Sequence, residues 1–478
     1  MQQESLKKKT VKGVMWSAME RFSTQGVQFV VMIVMARLLT PHDYGIVGLL
    51  TIFLAIAQAL IDSGFSQALI RKQDRTEVDN NTVFYFNLVV SGGLYVVLFL
   101  IAPFVADFYK LPLLCSVMRV VCLGVIFNSL AVVQRALYTA RLDFKTQAKA
   151  SFSSAVVSGV IGISLAYYGA GVWALVIQQL INLALNTILL WVMSSWRPKL
   201  CYSWEAFREL FSFGSKMLAS GLLDTIYVNI YPIVIGKLFS ASSLGHYTRA
   251  QQFAQFPSSN LTGILQRVSY PVLCEIQNDD DRLAEAYRRL LKLSAYIIFP
   301  LMIGVSSVSQ AFVNITIGSR WQYCALLLQI ICFSYMWYPI HAINLNLLQV
   351  KGRSDFFLKL EIAKKVVGVS VLCFTYRFGL EAMCYGNIAS SLLCLVINTY
   401  YTGRLINVGY FKQMRDLLPT FVVCLFMYVL IFVINQFIYS DVLQLLVGIL
   451  VGISFYFAVT YILKFKELQE LLSMVKRK

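Results

Sequence analysis

Residues 33–45 read Ile33-Val34-Met35-Ala36-Arg37-Leu38-Leu39-Thr40-Pro41-His42-Asp43-Tyr44-Gly45, and 200 positions later the chain reads Ile233-Val234-Ile235-Gly236-Lys237-Leu238-Phe239-Ser240-Ala241-Ser242-Ser243-Leu244-Gly245. Four of the thirteen pairs are identical (Ile33/Ile233, Val34/Val234, Leu38/Leu238, Gly45/Gly245), and five more are conservative, including Arg37/Lys237 and Thr40/Ser240. Each copy joins the end of one long apolar run to the start of the next. Six apolar runs separate the copies, so the second half enters a bilayer in the same orientation as the first. That is a parallel repeat about an axis along the membrane normal, a pattern found in transporters.

The composition agrees with a membrane protein. Of 478 residues, 58% are hydrophobic and 14% charged, against roughly 45–50% and about 25% in soluble domains; mean hydropathy is +0.67. These values disfavour disorder, a coiled coil and a cytosolic enzyme. Cutting at Pro, Gly and charge clusters, with about 20 residues to cross the bilayer core, yields fourteen spans. They are 11–37, 44–70, 81–106, 112–138, 147–168, 171–195, 211–238, 243–272, 290–316, 322–349, 356–376, 380–402, 416–438 and 441–463. The predicted fold is all-α: an N-terminal six-helix lobe (1–200), a second six-helix lobe (201–410), and two accessory spans with a cytoplasmic tail (411–478). The run after Lys7-Lys8-Lys9 continues past Met32 and carries Glu20 and Arg21, so it reads as a retained first span and not as a signal peptide.

The net charge of +17 would suggest nucleic acid in a soluble protein, but its distribution suggests topology. With a cytoplasmic N-terminus, 28 of the 41 Lys and Arg fall in inner segments and five in outer turns (Arg37, Lys110, Lys237, Arg320, Arg377). This asymmetry obeys the positive-inside rule with both termini cytoplasmic, and no nucleic-acid partner is expected. The ten cysteines are scattered with no C-x-x-C pair, and His42, His246 and His341 have no metal-binding spacing; neither disulfides nor zinc are expected. There is no phosphate-binding G-x-x-x-x-G-K-[ST], and the longest extramembrane stretch, Gln277 to Arg289, is too short for a catalytic domain. A non-enzyme without a cofactor follows.

Ionisable groups at membrane depth cost about 2.5–3.5 kcal/mol on insertion scales and usually face a wet cavity or a partner. Glu20 and Arg21 on span 1 and Asp224 on span 7 fall near mid-membrane. The first two read equally as a structural pair or as cavity groups; Asp224 favours function. Asp62 on span 2 suits capping, pairing or cation coupling. On span 8, Arg249, Gln252, Phe256, Asn260, Gly263 and Arg267 recur every three or four residues, a single helical face. Arginine can fork onto phosphate and Phe256 can stack on a sugar, although both arginines also lie near enough to span ends to snorkel. Tyr227 and Tyr231 around Asn229 invite a cavity reading, whereas Glu361 with Lys364 and Lys365 reads as helix-surface pairing.

Four stretches carry a family resemblance: Ala36-Arg37-Leu38-Leu39-Thr40-Pro41-His42-Asp43-Tyr44-Gly45, Asp62-Ser63-Gly64-Phe65-Ser66-Gln67-Ala68-Leu69-Ile70, Leu244-Gly245-His246-Tyr247-Thr248-Arg249-Ala250 and Gly352-Arg353-Ser354-Asp355. In order and spacing the chain resembles the oligosaccharide flippases of the multidrug/oligosaccharidyl-lipid/polysaccharide exporter superfamily, of the colanic-acid-exporter type. The resemblance implies two six-helix lobes around a central cavity and two accessory helices. It implies outward transfer, by alternating access in the bacterial inner membrane, of an undecaprenyl-pyrophosphate-linked repeat unit for O-antigen, capsule or exopolysaccharide. Membrane lipids and the polysaccharide polymerase and export machinery are the expected partners. Arg21, Arg249 and Arg267 would neutralise the pyrophosphate, and Asn229, Gln252 and Asn260 would meet sugars. The energy source stays open between product removal and H⁺ or Na⁺ coupling through Glu20, Asp62 or Asp224. A drug exporter on the same fold would require an acidic lumen, and a polymerase or glycosyltransferase would require acids at the outer ends of spans.

Overall fold

The computed structural model describes residues 23–62, 65–72 and 74–476; Glu20 and Arg21 lie outside them. At both copies of the repeat the chain does the same thing. Helix α1 (Ser23–Leu38) and helix α10 (Ile230–Leu238) end 200 positions apart, and α2 (Pro41–Asp62) and α11 (Ala241–Glu275) begin 200 positions apart. Thr40 caps α2, its hydroxyl accepting from the Asp43 amide at 3.3 Å while the Asp43 carboxylate accepts from the Thr40 amide at 2.9 Å. At the matching place in α11 the Ser240 hydroxyl accepts from the Ser243 amide at 3.0 Å. Each cap satisfies amides that a helix start leaves without a partner.

The remaining helices are α3 (Phe65–Arg71), α4 (Glu77–Tyr109), α5 (Leu113–Val121), α6 (Leu123–Ala140), α7 (Phe144–Tyr167), α8 (Val172–Met193) and α9 (Trp204–Val228). After α11 come α12 (Asp280–Ser307), α13 (Ser309–Thr316), α14 (Gln322–Tyr335), α15 (Tyr338–Val350), α16 (Ser354–Thr375), α17 (Leu380–Ile406), α18 (Tyr410–Gln436), α19 (Asp441–Ile462) and α20 (Lys466–Lys476). No strand occurs among the described residues. Ten helical stretches among them are long and apolar enough to cross a membrane. Helices α9, α11 and α16 are not among the ten, and of span 1 only Ser23–Leu38 is described.

Several predicted spans are built differently. Span 4 breaks at Cys122, span 7 at Asn229, span 9 at Val308 and span 10 at Met336-Trp337. At the first of the chemically explicable breaks, the Asn229 amide donates to the Thr225 carbonyl at 2.8 Å, a local bond that competes with helix continuation; at the second, Pro339 in the first turn of α15 removes an amide donor. The stretch from Gln277 to Arg289, expected as a loop, is mostly helix. Asp279 caps α12 through the Arg282 amide, and Asp280 and Asp281 add favourable charge to its first turn. Residues 466–476, expected as tail, form α20.

The chain groups into two compact units, Met1–Gly245 and His246–Lys478. In the first, the connection after α8 is strapped onto the start of α4: the Lys199 amide donates to Asn81 at 2.9 Å and the Ser203 amide to Thr82 at 3.1 Å. Beneath the strap Phe65, Phe84, Trp196 and Leu210 form an apolar cluster. In the second, α12 packs on α18, and Asp416 receives Arg288 in a two-pronged pair at 2.6 and 2.8 Å and Lys292 at 3.1 Å. Gln413 of α18 reaches Tyr287, Asn344 and Thr402 at 3.0–3.2 Å, joining four helices through fully buried polar groups. Such bonds matter because neither lipid nor core supplies substitutes.

Candidate functional site

Helix α11 is 35 residues long, carries Pro257 and Pro271 inside it, and has no acidic residue before Glu275. Its two faces do different work. Ala250, Phe253, Ala254, Ser258, Thr262, Ser269 and Leu273 are buried. On this side the Ser258 hydroxyl donates to the Tyr335 carbonyl at 2.7 Å, Gln251 donates to the Tyr335 hydroxyl at 3.1 Å, and Phe253 meets Phe312 edge-on at 5.2 Å. Further along, Gln266 donates to Asn346 at 3.4 Å. Polar anchors thus fix the rotation of the helix about its axis against α14 and α15.

That rotation leaves Gln252, Gln255, Phe256 and Arg267 exposed, with Asn260, Gly263 and Arg249 half-buried. From Gln252 to Arg267 the polar face extends about 22 Å at 1.5 Å per residue, most of a hydrocarbon core about 30 Å thick. The Asn260 amide donates to the Phe256 carbonyl at 2.9 Å. Arg249 lies within electrostatic reach of the buried Cys324 thiol.

The other sequence candidates fall elsewhere. Asp224 is exposed on α9. Asn229 is buried at the α9–α10 break, its amide nitrogen donating to the Thr225 carbonyl. Asp62 ends α2, and its side chain is outside what the structure describes. Lys364 and Glu361 pair on α16 as the spacing implied.

Sequence reasoning missed the residues around the α15–α16 turn. Gly352 takes a left-handed backbone (φ +66°). Arg353 forks onto Asp355 at 3.0 and 2.9 Å, holding that carboxyl down to about 2, and lies over the Phe356 ring at 3.7 Å. Lys351 reaches across to the Gln277 carbonyl at 2.6 Å and the Asp280 carboxylate. The Gly352-Arg353-Ser354-Asp355 stretch was the available signal, but the partners of the adjoining Lys351 lie about 70 residues away in the chain.

Residues 34–326 match the family model described as "Polysaccharide biosynthesis protein". This chain belongs to that family. As a polysaccharide biosynthesis protein it is similar to the teichuronic acid biosynthesis protein TuaB of Bacillus subtilis (26% identity; 73% of each chain). It is also similar to the lipopolysaccharide biosynthesis protein WzxC of Escherichia coli (24% identity; 83% of this chain, 80% of the relative) and to the succinoglycan biosynthesis transport protein ExoT of Rhizobium meliloti (24%; 68% and 66%). Among solved structures, the lipid II flippase MurJ in an inward closed conformation shares the fold with a TM-score of 0.76 at 11% identity, over 94% of this chain and 98% of that one. An inward-facing multidrug resistance MATE family transporter gives 0.63 at 15% identity, over 81% and 96%. This member of the family is a membrane protein, helical throughout its ordered elements among the described residues, and it shares its fold with these two solved structures.

Proposed function

We propose that this polysaccharide biosynthesis protein flips an undecaprenyl-pyrophosphate-linked oligosaccharide across the bacterial inner membrane by alternating access, with both termini cytoplasmic. The observation that carries the reading is the exposed polar face of α11. A face bearing Gln252, Gln255 and Arg267 at membrane depth is tolerated beside water, not beside lipid tails. Arginine and amides on this face, with Phe256 for stacking, suit pyrophosphate and sugar hydroxyls. The family and the named polysaccharide relatives support the same cargo. A drug exporter fits less well, because α11 offers no carboxylate before Glu275. Arg21 and Arg249 complete the proposed cationic path; Glu20, Asp62 and Asp224 are the proposed H⁺- or Na⁺-coupling groups, of which Asp224 is exposed. A polymerase working on the outer product is the proposed functional partner.

The test is reconstitution into vesicles with an undecaprenyl-pyrophosphate-linked repeat unit, following its leaflet with a membrane-impermeant sugar-modifying enzyme. Transfer should depend on the protein and fall at least tenfold in Arg267→Ala at equal incorporation. Protein-independent transfer, or an unchanged rate in Arg267→Ala and Gln252→Leu together, overturns the assignment of this face.

A further inference from the structure

The exposed face of α11 does not stop at Arg267. Tyr270 and Cys274 continue its spacing of three and four residues, and Tyr270 is exposed. Both line a cleft of about 550 Å³ within the second unit, with Gln277, Asn278, Asp280, Gln349 and Lys351 on its other walls. Small-ligand sites commonly measure about 300–1,000 Å³. Lys351 is joined to Asp280 and to the Gln277 carbonyl, so the charges at the mouth cancel. What remains is three amides, each able to donate and accept, and a phenol ring. Sugar hydroxyls, which donate and accept at once, match such a set, and a pyranose face matches the ring.

We infer that this cleft is an oligosaccharide subsite that holds the sugar next to the pyrophosphate, while Arg267, about 4.5 Å along the axis from Tyr270, holds the phosphate. The inference rests on the transport reading above and extends it to specificity: Gln277, Asn278 and Gln349 select the sugar. The Gly352-Arg353-Ser354-Asp355 turn, with Lys351 before it, is the frame that keeps the α15 and α11 ends together around the cleft.

The test uses the full-length protein in nanodiscs. Maleimide labelling of Cys274 is followed peptide by peptide by mass spectrometry, with the exposed Cys373 as internal reference. One probe is undecaprenyl pyrophosphate; the other is an undecaprenyl-pyrophosphate-linked repeat unit from a strain lacking the transporter. The sugar-bearing lipid should slow Cys274 labelling about tenfold, the bare lipid should not, and Cys373 should be unchanged. Gln277→Ala with Gln349→Ala, both exposed positions, should weaken binding of the sugar-bearing lipid about tenfold, the loss of one or two hydrogen bonds, and leave binding of the bare lipid unchanged. Equal protection by both lipids, or binding of the sugar-bearing lipid without protection of Cys274, overturns the cleft assignment alone. Failure of either lipid to bind overturns the transport reading and the cleft with it.

Discussion

Replacing Gly45 by alanine would set a methyl carbon 1.7 Å from the Ala241 carbonyl oxygen and 2.3 Å from its carbon; the same change at Gly245 would set one 1.9 Å from the Pro41 carbonyl oxygen. The two contacts are reciprocal. Position 45 meets 241 and position 245 meets 41, so the fifth residue of each repeat helix touches the first residue of the other. Carbon and oxygen settle at about 3.3–3.6 Å, and the helix ends would have to part by roughly 1.5 Å. The obstacle is main chain in both cases, and no side-chain rotation relieves it. An overpacked methylene costs about 1–3 kcal/mol, which shifts the population of any state holding this contact by about 5- to 150-fold.

Three measurements read the effect: membrane abundance, thermal unfolding of the purified protein, and surface-polysaccharide export in a deletion strain. Each single alanine should lower the unfolding temperature or cut export at least fivefold. The double variant should fall short of the sum, because both methyls pry apart the same junction. Gly92→Ala is the control: nothing lies within 4 Å of its added carbon, and alanine is the better helix former by about 0.5–1 kcal/mol. Wild-type abundance, unfolding temperature and export in both Gly45→Ala and Gly245→Ala would refute the contact.

Other substitutions test the remaining structure. Gln413→Leu removes a buried amide bonded to Tyr287, Asn344 and Thr402 and should cost about 1–3 kcal/mol of stability, read as a lower unfolding temperature with unchanged transport per folded molecule. Asp416→Asn should destabilise more than Arg288→Ala, since the first leaves two cations facing each other and the second leaves Lys292 on the carboxylate; the reverse order in thermal unfolding would contradict the pairing. Arg267→Lys should retain more affinity for undecaprenyl pyrophosphate than Arg267→Ala, because charge survives and the bidentate fork does not; titration calorimetry in nanodiscs orders the three proteins.

Hydropathy made the helical plan legible because it acts on whole segments. Each of the ten apolar stretches overlaps one predicted span. Breaks at Cys122, Asn229, Val308 and Met336-Trp337 were not legible: a run stays apolar across a kink, so window averages do not register it. The polar stripe of α11 was visible as a periodicity, but polar residues occupy both sides of this helix. Only the partners decide that Gln251 and Ser258 anchor it to Tyr335 while Gln252 and Phe256 face out. The Gln413 network joins residues as far as 126 positions apart, and one sequence contains no statement of that proximity.

The helices outside the ten apolar stretches bear on where water reaches. An apolar helix can turn any face to lipid, whereas a polar one must neutralise its groups internally or border an aqueous space. Helix α16 follows the first course at one of its lysines, since Lys364 pairs with Glu361 one turn away. On the proposed reading, helix α11 takes the second. Its anchored face is held by α14 and α15, and the arginine and amides on the opposite face have no carboxylate on the same helix before Glu275. A lipid-facing α11 would therefore place an arginine and several amides in hydrocarbon, at about 2.5–3.5 kcal/mol for the arginine alone, without an ion-pair partner on its own helix. Cysteines introduced at 252 and 255 decide between the alternatives. Water beside this face predicts labelling by a membrane-impermeant maleimide added from one side of the membrane, and faster labelling when transport is running. Protection from that reagent on both sides, with labelling by a lipid-soluble maleimide, would place the face in lipid and refute the aqueous path.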